Sequence, residues 1–108
     1  MAENYRGETY EALLVMKEER EKGIEKLQND LIEKRNRIGK LLAEQEFLDT
    51  KQGSLGMTDP ELRRKEELRK EKASLEEEYL QKKRDTDKKI PLLNIEIDII
   101  YELIAKYK

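Results

Sequence analysis

Few side chains in this sequence could act in catalysis. The 108 residues include no His and no Cys, which excludes Cys/His zinc sites, thiol nucleophiles and serine–histidine pairs. Ser54 and Ser74 have only lysines and carboxylates near them in sequence to serve as a base. We interpret Ser54 as a turn residue and Ser74 as a helix-surface residue, and we predict that the protein is not an enzyme.

Two acidic clusters could offer oxygen ligands to a hard cation. They are residues 76–78 (Glu-Glu-Glu) and residues 85–87 (Asp-Thr-Asp). Neither has the ligand spacing of a calcium loop, and carboxylate metal bundles usually include a Glu-x-x-His motif, which a chain without His lacks. Residues 53–56 (Gly-Ser-Leu-Gly) are too short for a phosphate-binding loop and lack its lysine. We expect no metal, no cofactor and no small-molecule substrate.

Positive charge is concentrated in two stretches of the second half. Residues 63–72 carry six basic and three acidic side chains, and residues 82–89 carry five basic and two acidic ones. Such stretches could contact nucleic-acid phosphates without reading bases. The interleaved carboxylates and the lack of aromatic side chains among the cations favour solvated ion pairs instead. Nucleic-acid binding is therefore the alternative function, with possible phosphate contacts at Arg63, Arg64, Arg69, Lys70, Lys82, Lys83 and Arg84.

The composition indicates which elements carry these charges. Charged residues make up 44% of the chain and hydrophobic residues 36%, while the net charge is only −2. This combination suits long exposed helices better than a compact core. The sequence has no run of 18 apolar residues that could span a bilayer, and its start does not resemble a signal peptide. We therefore expect a soluble, cytoplasmic protein with no membrane role.

Helix-breaking and helix-capping residues place one turn near the middle of the chain. Gly53 and Gly56 lie where a first helix is expected to stop. Immediately afterwards, Thr58 and Glu61 have the spacing of a capping box, in which each side chain bonds the backbone amide of the other. Asp59 is the competing cap. In either register a second helix begins here.

The first half of the chain has a heptad pattern, which is typical of a helix that coils on a partner. Gly23 and Gly39 fall inside this helix, where they either weaken it locally or allow a close helix contact or a flexible joint. The apolar positions are Tyr10, Leu13, Ile24, Leu27, Leu31, Ile38, Leu41 and Leu48, with Lys17, Arg20, Lys34 and Gln45 filling the remaining steps.

The second half continues the pattern through Leu62, Leu68, Leu75 and Tyr79, but residues 81–89 contain no apolar side chain. Four-residue steps from Leu75 through Tyr79 to Lys83 would restore the phase beyond this gap, as a coiled-coil stutter does. Proline removes a helix hydrogen bond and its ring crowds the preceding turn, so Pro91 predicts a kink or a break nearby. Residues 95–99 also alternate with a period of two, which leaves a strand as the alternative there.

The last 19 residues are much more apolar than the rest, with 12 apolar side chains. One heptad seam contains Ile90, Leu93, Ile97, Ile100, Ile104 and Tyr107. A second seam, about 125° around the helix, contains Leu92, Ile95, Ile99 and Leu103. Two apolar seams on one helix require two neighbours.

The sequence therefore predicts an all-α fold: one domain, residues 1–108, forming a long antiparallel coiled-coil hairpin with helices at about 9–52 and 59–107 and a turn at 53–58. Pairing residue i with about 110 − i places Leu13 opposite Ile97. Two helices alone cannot bury the apolar surface at the termini end, so we expect a homodimer joined there as a four-helix bundle. The expected oligomerisation residues are Leu13, Leu14, Val15, Met16, Ile90, Leu92, Leu93, Ile95, Ile97, Ile99, Ile100, Leu103 and Ile104.

A smaller apolar group lies around the turn. Phe47, Leu55 and Met57 either seal the end of the hairpin or dock a partner protein. We predict a non-enzymatic interaction module (an adaptor, an inhibitor or a scaffold) that associates with itself and with another protein. A third possibility is that the chain is one subunit, or a piece, of a larger hetero-complex whose other member covers the isoleucine-rich seam.

Overall fold

The computed structural model describes residues 4–107, which form two long α-helices that pack as a hairpin. Helix α1 spans Arg6–Ser54, 49 residues, and helix α2 spans Asp59–Ala105, 47 residues. No strand occurs within residues 4–107, so the strand interpretation of residues 95–99 is wrong and the helical one is confirmed. The other residues of the predicted single domain, 1–3 and 108, lie outside the described part.

The described residues pack as two units, each built from a segment of α1 and a segment of α2. The terminal unit contains residues 4–29 and 85–107, and the turn unit contains Asp30–Arg84. The two segments run antiparallel in each unit. The contacts that show this are Arg6 to Lys106 and Arg20 to Glu96 in the terminal unit, and Lys34 to Glu78 and Glu44 to Arg64 in the turn unit.

Helix α1 begins and ends a few residues outside its predicted bounds. At its start the side-chain oxygen of Asn4 accepts a hydrogen bond of 2.9 Å from the amide of Arg6, which caps the helix earlier than expected. At its end the amide of Leu55 bonds the carbonyl of Lys51 at 2.7 Å. Gly56 then adopts a φ of +75°, a left-handed conformation that costs glycine little and ends the helix.

The predicted capping box starts helix α2. The amide of Thr58 donates to Glu61 Oε1 at 3.2 Å, and the amide of Glu61 donates to Thr58 Oγ1 at 3.4 Å. Thr58 is therefore the cap, and the alternative register with Asp59 as the cap is wrong. Lys51 of α1 donates to the other Glu61 carboxylate oxygen at 2.6 Å, so this residue also joins the two helix ends.

The heptad pattern of α1 is confirmed. Every predicted position of the seam is buried or half-buried, including the four polar ones, because their long stems pack while their heads reach water. Leu13 and Leu48 are the most buried of these residues. The α1 seam therefore runs without a phase change from Tyr10 to Leu48.

The seam of α2 differs from its prediction in two places. Leu62 is 45% exposed, and the half-buried positions near the start are Glu61, Arg64 and Lys65. In the apolar gap Thr86 is buried and Lys83 is exposed. The four-residue steps therefore run through Lys82, Thr86 and Ile90, one heptad later than the predicted stutter.

The pairing register predicted for the terminal unit is also wrong. The core cluster there groups Leu13 with Ile100 and Ile104, whereas the prediction placed Leu13 opposite Ile97. A Cβ atom on Gly23 would lie 3.9 Å from Leu93 Cδ1, again farther along α2 than expected. A stutter inserts four residues into the heptad pattern of a helix. Helix α2 contains one and α1 contains none, so the residues of α2 beyond it no longer pair with α1 at equal distances from the turn.

Helix α2 is continuous through Pro91, so the predicted break is wrong, and a kink there stays a prediction. The pyrrolidine ring lies on the exposed side, while Ile90 and Leu93 on either side of it are half-buried. Proline removes only the one hydrogen bond to the carbonyl four residues earlier. Packing of the neighbouring side chains in the terminal unit is enough to keep the helix intact.

Candidate interaction surface

The terminal unit divides its apolar residues between an inner and an outer face. The inner face is closed by a core cluster in which Tyr10, Leu14 and Tyr107 pack against buried neighbours. Of the predicted oligomerisation residues, the inner ones are Leu13, Ile97, Ile100 and Ile104, which are buried, and Leu14, Ile90 and Leu93, which are half-buried. These side chains already pack within the hairpin.

The other six predicted oligomerisation residues are exposed. Four of them follow one another on α2 at spacings of three, four and four residues, which places them on one face of the helix. We call Leu92, Ile95, Ile99 and Leu103 the outer seam. Their exposures are 62%, 56%, 52% and 36%, and Val15 and Met16 of α1 are 53% and 39% exposed.

A shallow groove lies between the two helices beside the outer seam. Its apolar walls are Met16 of α1 and Ile99, Ile100 and Leu103 of α2, and its polar end is formed by Arg20 and Glu96. Arg20 Nε donates to Glu96 Oε2 at 2.8 Å. Such a groove can receive an aliphatic side chain because its walls are apolar. The charged pair makes the other end of the groove unfavourable for apolar atoms.

Cations of α1 hold the end of α2 in the terminal unit. Arg6 lies 4.7 Å from the centre of the Tyr107 ring and donates a hydrogen bond of 2.6 Å to the carbonyl of Lys106. Lys17 lies 4.9 Å from the centre of the Tyr101 ring and donates to its hydroxyl at 3.3 Å. That hydrogen bond raises the pKa of Lys17 above its usual value, with desolvation acting against it. The last turn of α2 contains no basic residue, so Arg6 supplies the positive charge that favours a helix carboxyl end.

The residues around the turn present apolar surface as well. Phe47 is 64% exposed and Leu55 is 82% exposed, whereas Met57 is half-buried. Two of the three predicted tip residues are therefore accessible to a partner. The simple interpretation that all three seal the hairpin end does not describe Phe47 and Leu55.

Three of the seven candidate phosphate contacts on α2 lie next to carboxylates. Arg64 pairs with Glu44, and Arg69 pairs with Glu66 at 2.7 Å. Lys82 lies 3.9 Å from Asp30. The other four candidate phosphate contacts are exposed: Arg63, Lys70, Lys83 and Arg84.

The acidic clusters of α2 are helix-surface residues apart from Thr86. Glu76 and Glu78 pair with Lys72 and Lys34, respectively. Within residues 4–107 no group of acidic side chains is placed to hold a metal ion. No helix in the same range is long and apolar enough to cross a membrane.

Two structural features have no clear signal in the sequence. The predicted register places Glu44 within about two residues of Arg64, but the sequence does not show that these two side chains form a pair with two hydrogen bonds. Thr86 lies in a polar run, and only the spacing of four residues from Lys82 and from Ile90 places it on the buried side of α2. Thr86 could have been identified as a buried position by requiring one continuous heptad seam through both halves of α2.

No protein-family model matches this sequence, and no curated protein and no solved structure is significantly similar to it. The candidate function therefore rests on the residues of this chain.

Proposed function

We propose that the protein is a non-enzymatic interaction module that dimerises through the outer seam of its terminal unit. The observation that supports this proposal is the exposure of Leu92, Ile95, Ile99 and Leu103 on one helix face while the inner face is already filled. An apolar stripe of this kind on a chain with 44% charged residues is typical of a surface that another protein covers. A second copy is the simplest occupant, since it presents the same stripe and the same groove.

The energy of such a contact is sufficient for association. Fully burying an aliphatic side chain contributes about 1.5–3 kcal/mol, so covering a half-exposed one contributes about 1 kcal/mol. Six such residues on each of two copies give roughly 12 kcal/mol against an association cost of at least about 4 kcal/mol. The difference is at most about 8 kcal/mol, so a dissociation constant of about 1 μM is the tightest that this contact allows. We therefore propose a dimer that dissociates on dilution.

The four-helix bundle is the arrangement that we propose for this dimer. Two hairpins related by a twofold axis would bring four helix segments together around the outer seams. The role of the dimer is that of an adaptor, an inhibitor or a scaffold in the cytoplasm. Phe47 and Leu55 are the proposed contact with a further protein, because they are the most exposed apolar residues of the turn unit.

Nucleic-acid binding through α2 has less support. Three of its seven candidate phosphate contacts, Arg64, Arg69 and Lys82, already lie next to carboxylates. Releasing them would cost the ion pairs before any phosphate is gained. We therefore propose protein contacts and not phosphate contacts for this chain.

Substitution of one outer-seam residue tests the proposal. Ile99→Glu should convert the dimer to a monomer, as measured by multi-angle light scattering, because the buried contact would then contain two unpaired carboxylates. Ile32→Glu is the matched control, since Ile32 is 56% exposed and lies in the turn unit. It should stay dimeric. A dimer that persists in Ile99→Glu, with helix content unchanged by circular dichroism, would contradict the proposed surface.

A further inference from the structure

Thr86 is a polar residue at a buried position of the α2 seam, where most other residues are apolar. Its side chain is 1% exposed, and its hydroxyl oxygen has no hydrogen-bond partner within the described chain. A buried hydroxyl without a partner loses its hydrogen bonds to water and gains none in return. Local separation of the helices would return water to this group, so Thr86 favours opening.

Gly23 weakens the opposite helix in the same unit. A Cβ atom at this position would meet Leu93 Cδ1 at 3.9 Å, an ordinary contact distance. The glycine is therefore not required for close approach of the helices. Its effect is to raise the conformational freedom of α1 and to leave Leu93 without one packing partner.

Pro91 removes a hydrogen bond from α2 next to these two residues. Its nitrogen carries no hydrogen, so the carbonyl of Asp87 loses its helical donor. Pro91 is five residues after Thr86 and two before Leu93. Three independent weakening features therefore lie in one short stretch of the terminal unit.

We propose that residues 21–29 of α1 and 86–95 of α2 form an opening segment, where the two helices separate locally while the rest of each helix stays folded. The comparison segment is residues 42–48 of α1 with residues 64–72 of α2, which contain no Gly and no Pro. Leu68 in that segment is completely buried, and Arg64 and Glu44 join the helices there. Leu92 and Ile95 of the outer seam lie in this segment, but none of the three weakening features belongs to the outer seam, so the proposal holds whether or not the chain dimerises.

Hydrogen–deuterium exchange followed by mass spectrometry tests this proposal on the full chain. Local opening sets the exchange rate of backbone amides in a folded helix. We expect the opening segment to exchange at least about tenfold faster than the comparison segment. Equal rates in the two segments, or faster exchange in the comparison segment, would overturn the proposal.

Two variants, each removing one of the weakening features, test whether those features cause the faster exchange. Thr86→Val keeps the shape and removes the hydroxyl, and Gly23→Ala restores helix preference, so each should slow exchange in the opening segment about threefold to tenfold. Thr50→Val and Gly39→Ala are the matched controls, because both positions are exposed and lie in the turn unit. They should leave exchange in the opening segment unchanged. Repaired variants that exchange as fast there as the wild type would contradict the assignment.

Discussion

Arg64 of α2 donates two hydrogen bonds to Glu44 of α1, one from Nε to Oε1 and one from Nη2 to Oε2, and both are 2.9 Å long. Its Nη1 also lies 3.6 Å from Glu67 and 3.7 Å from Glu71. The hydrogen bonds to Glu44 raise the pKa of Arg64 and lower that of Glu44. A planar guanidinium fixes both distance and direction, so this pair joins α1 and α2 in the turn unit with a defined geometry.

Replacing this guanidinium should weaken the turn unit. Arg64→Lys keeps the charge, but a lysine ammonium cannot form two parallel hydrogen bonds to one carboxylate. We expect a lower midpoint of thermal unfolding, measured by circular dichroism. The matched control is Arg63→Lys, at an exposed neighbouring position, which should leave the midpoint unchanged. Equal midpoints for the two variants would show that the paired geometry does not matter.

The capping box at the start of α2 makes a second prediction. Thr58→Ala removes the oxygen that accepts the Glu61 amide, so it should lower the free energy of unfolding by about 1 kcal/mol. Chemical denaturation measures this change. Thr50→Ala is the control, because Thr50 is exposed inside α1 and alanine favours a helix interior. The assignment of Thr58 as the cap fails if the two variants lose the same stability.

The stability of the fold should fall on acidification, because the carboxylates of Glu44 and Glu61 lose their charge. Hydrogen bonds from Arg64 lower the pKa of Glu44, and hydrogen bonds from Lys51 and then Thr58 lower the pKa of Glu61 below 4.5. A carboxyl whose pKa is lower in the folded state stabilises the fold above its unfolded pKa and loses this contribution as the pH falls through its folded pKa.

The thermal midpoint of the wild type should therefore drop as the pH falls below about 5 and through the lowered pKa values of Glu44 and Glu61. Glu44→Gln should show a lower midpoint at neutral pH and a smaller drop on acidification, because it has one titrating group fewer. The control Glu46→Gln lies at an exposed position, and the Glu46 side chain forms no ion pair within residues 4–107. It should retain the full drop. An identical pH dependence in Glu44→Gln and the wild type would contradict this linkage.

Two glycine positions should respond in opposite directions to alanine. Gly56 has a φ of +75°, which a residue with a Cβ adopts at a cost of about 1–2 kcal/mol. Gly39 lies inside α1, and a Cβ there would meet nothing within 4 Å, so alanine should add about 0.5–1 kcal/mol of stability. Denaturant titration of both variants checks the signs. A stabilising Gly56→Ala would mean that the turn does not need the left-handed residue.

Local and periodic features of this fold were predictable, whereas the register of its terminal unit was not. Thr58 and Glu61 are three residues apart, and the hydrogen bonds that they make follow directly from that spacing. The α1 seam follows from a period that repeats from Tyr10 to Leu48. The register in the terminal unit depends on where α2 changes phase, and that change occurs at Thr86, whose polar side chain gives no apolar signal.

The sequence predicted which residues make the terminal unit apolar, but it did not predict which of them are buried in the hairpin and which are exposed. Ile97 and Ile99 have the same side chain, and both belong to the isoleucine-rich segment. Ile97 is 8% exposed and Ile99 is 52% exposed. Helix periodicity separates the two seams, but only the position of α1 shows that Ile97 is already covered.

The mass of the wild-type chain in solution tests the central proposal most directly. Sedimentation equilibrium over concentrations from about 0.1 to 100 μM spans the dissociation constant expected from the apolar area. We predict a mass that rises from 12.9 kDa to twice that value across this range. A folded chain that stays at 12.9 kDa at every concentration would contradict the proposed dimer.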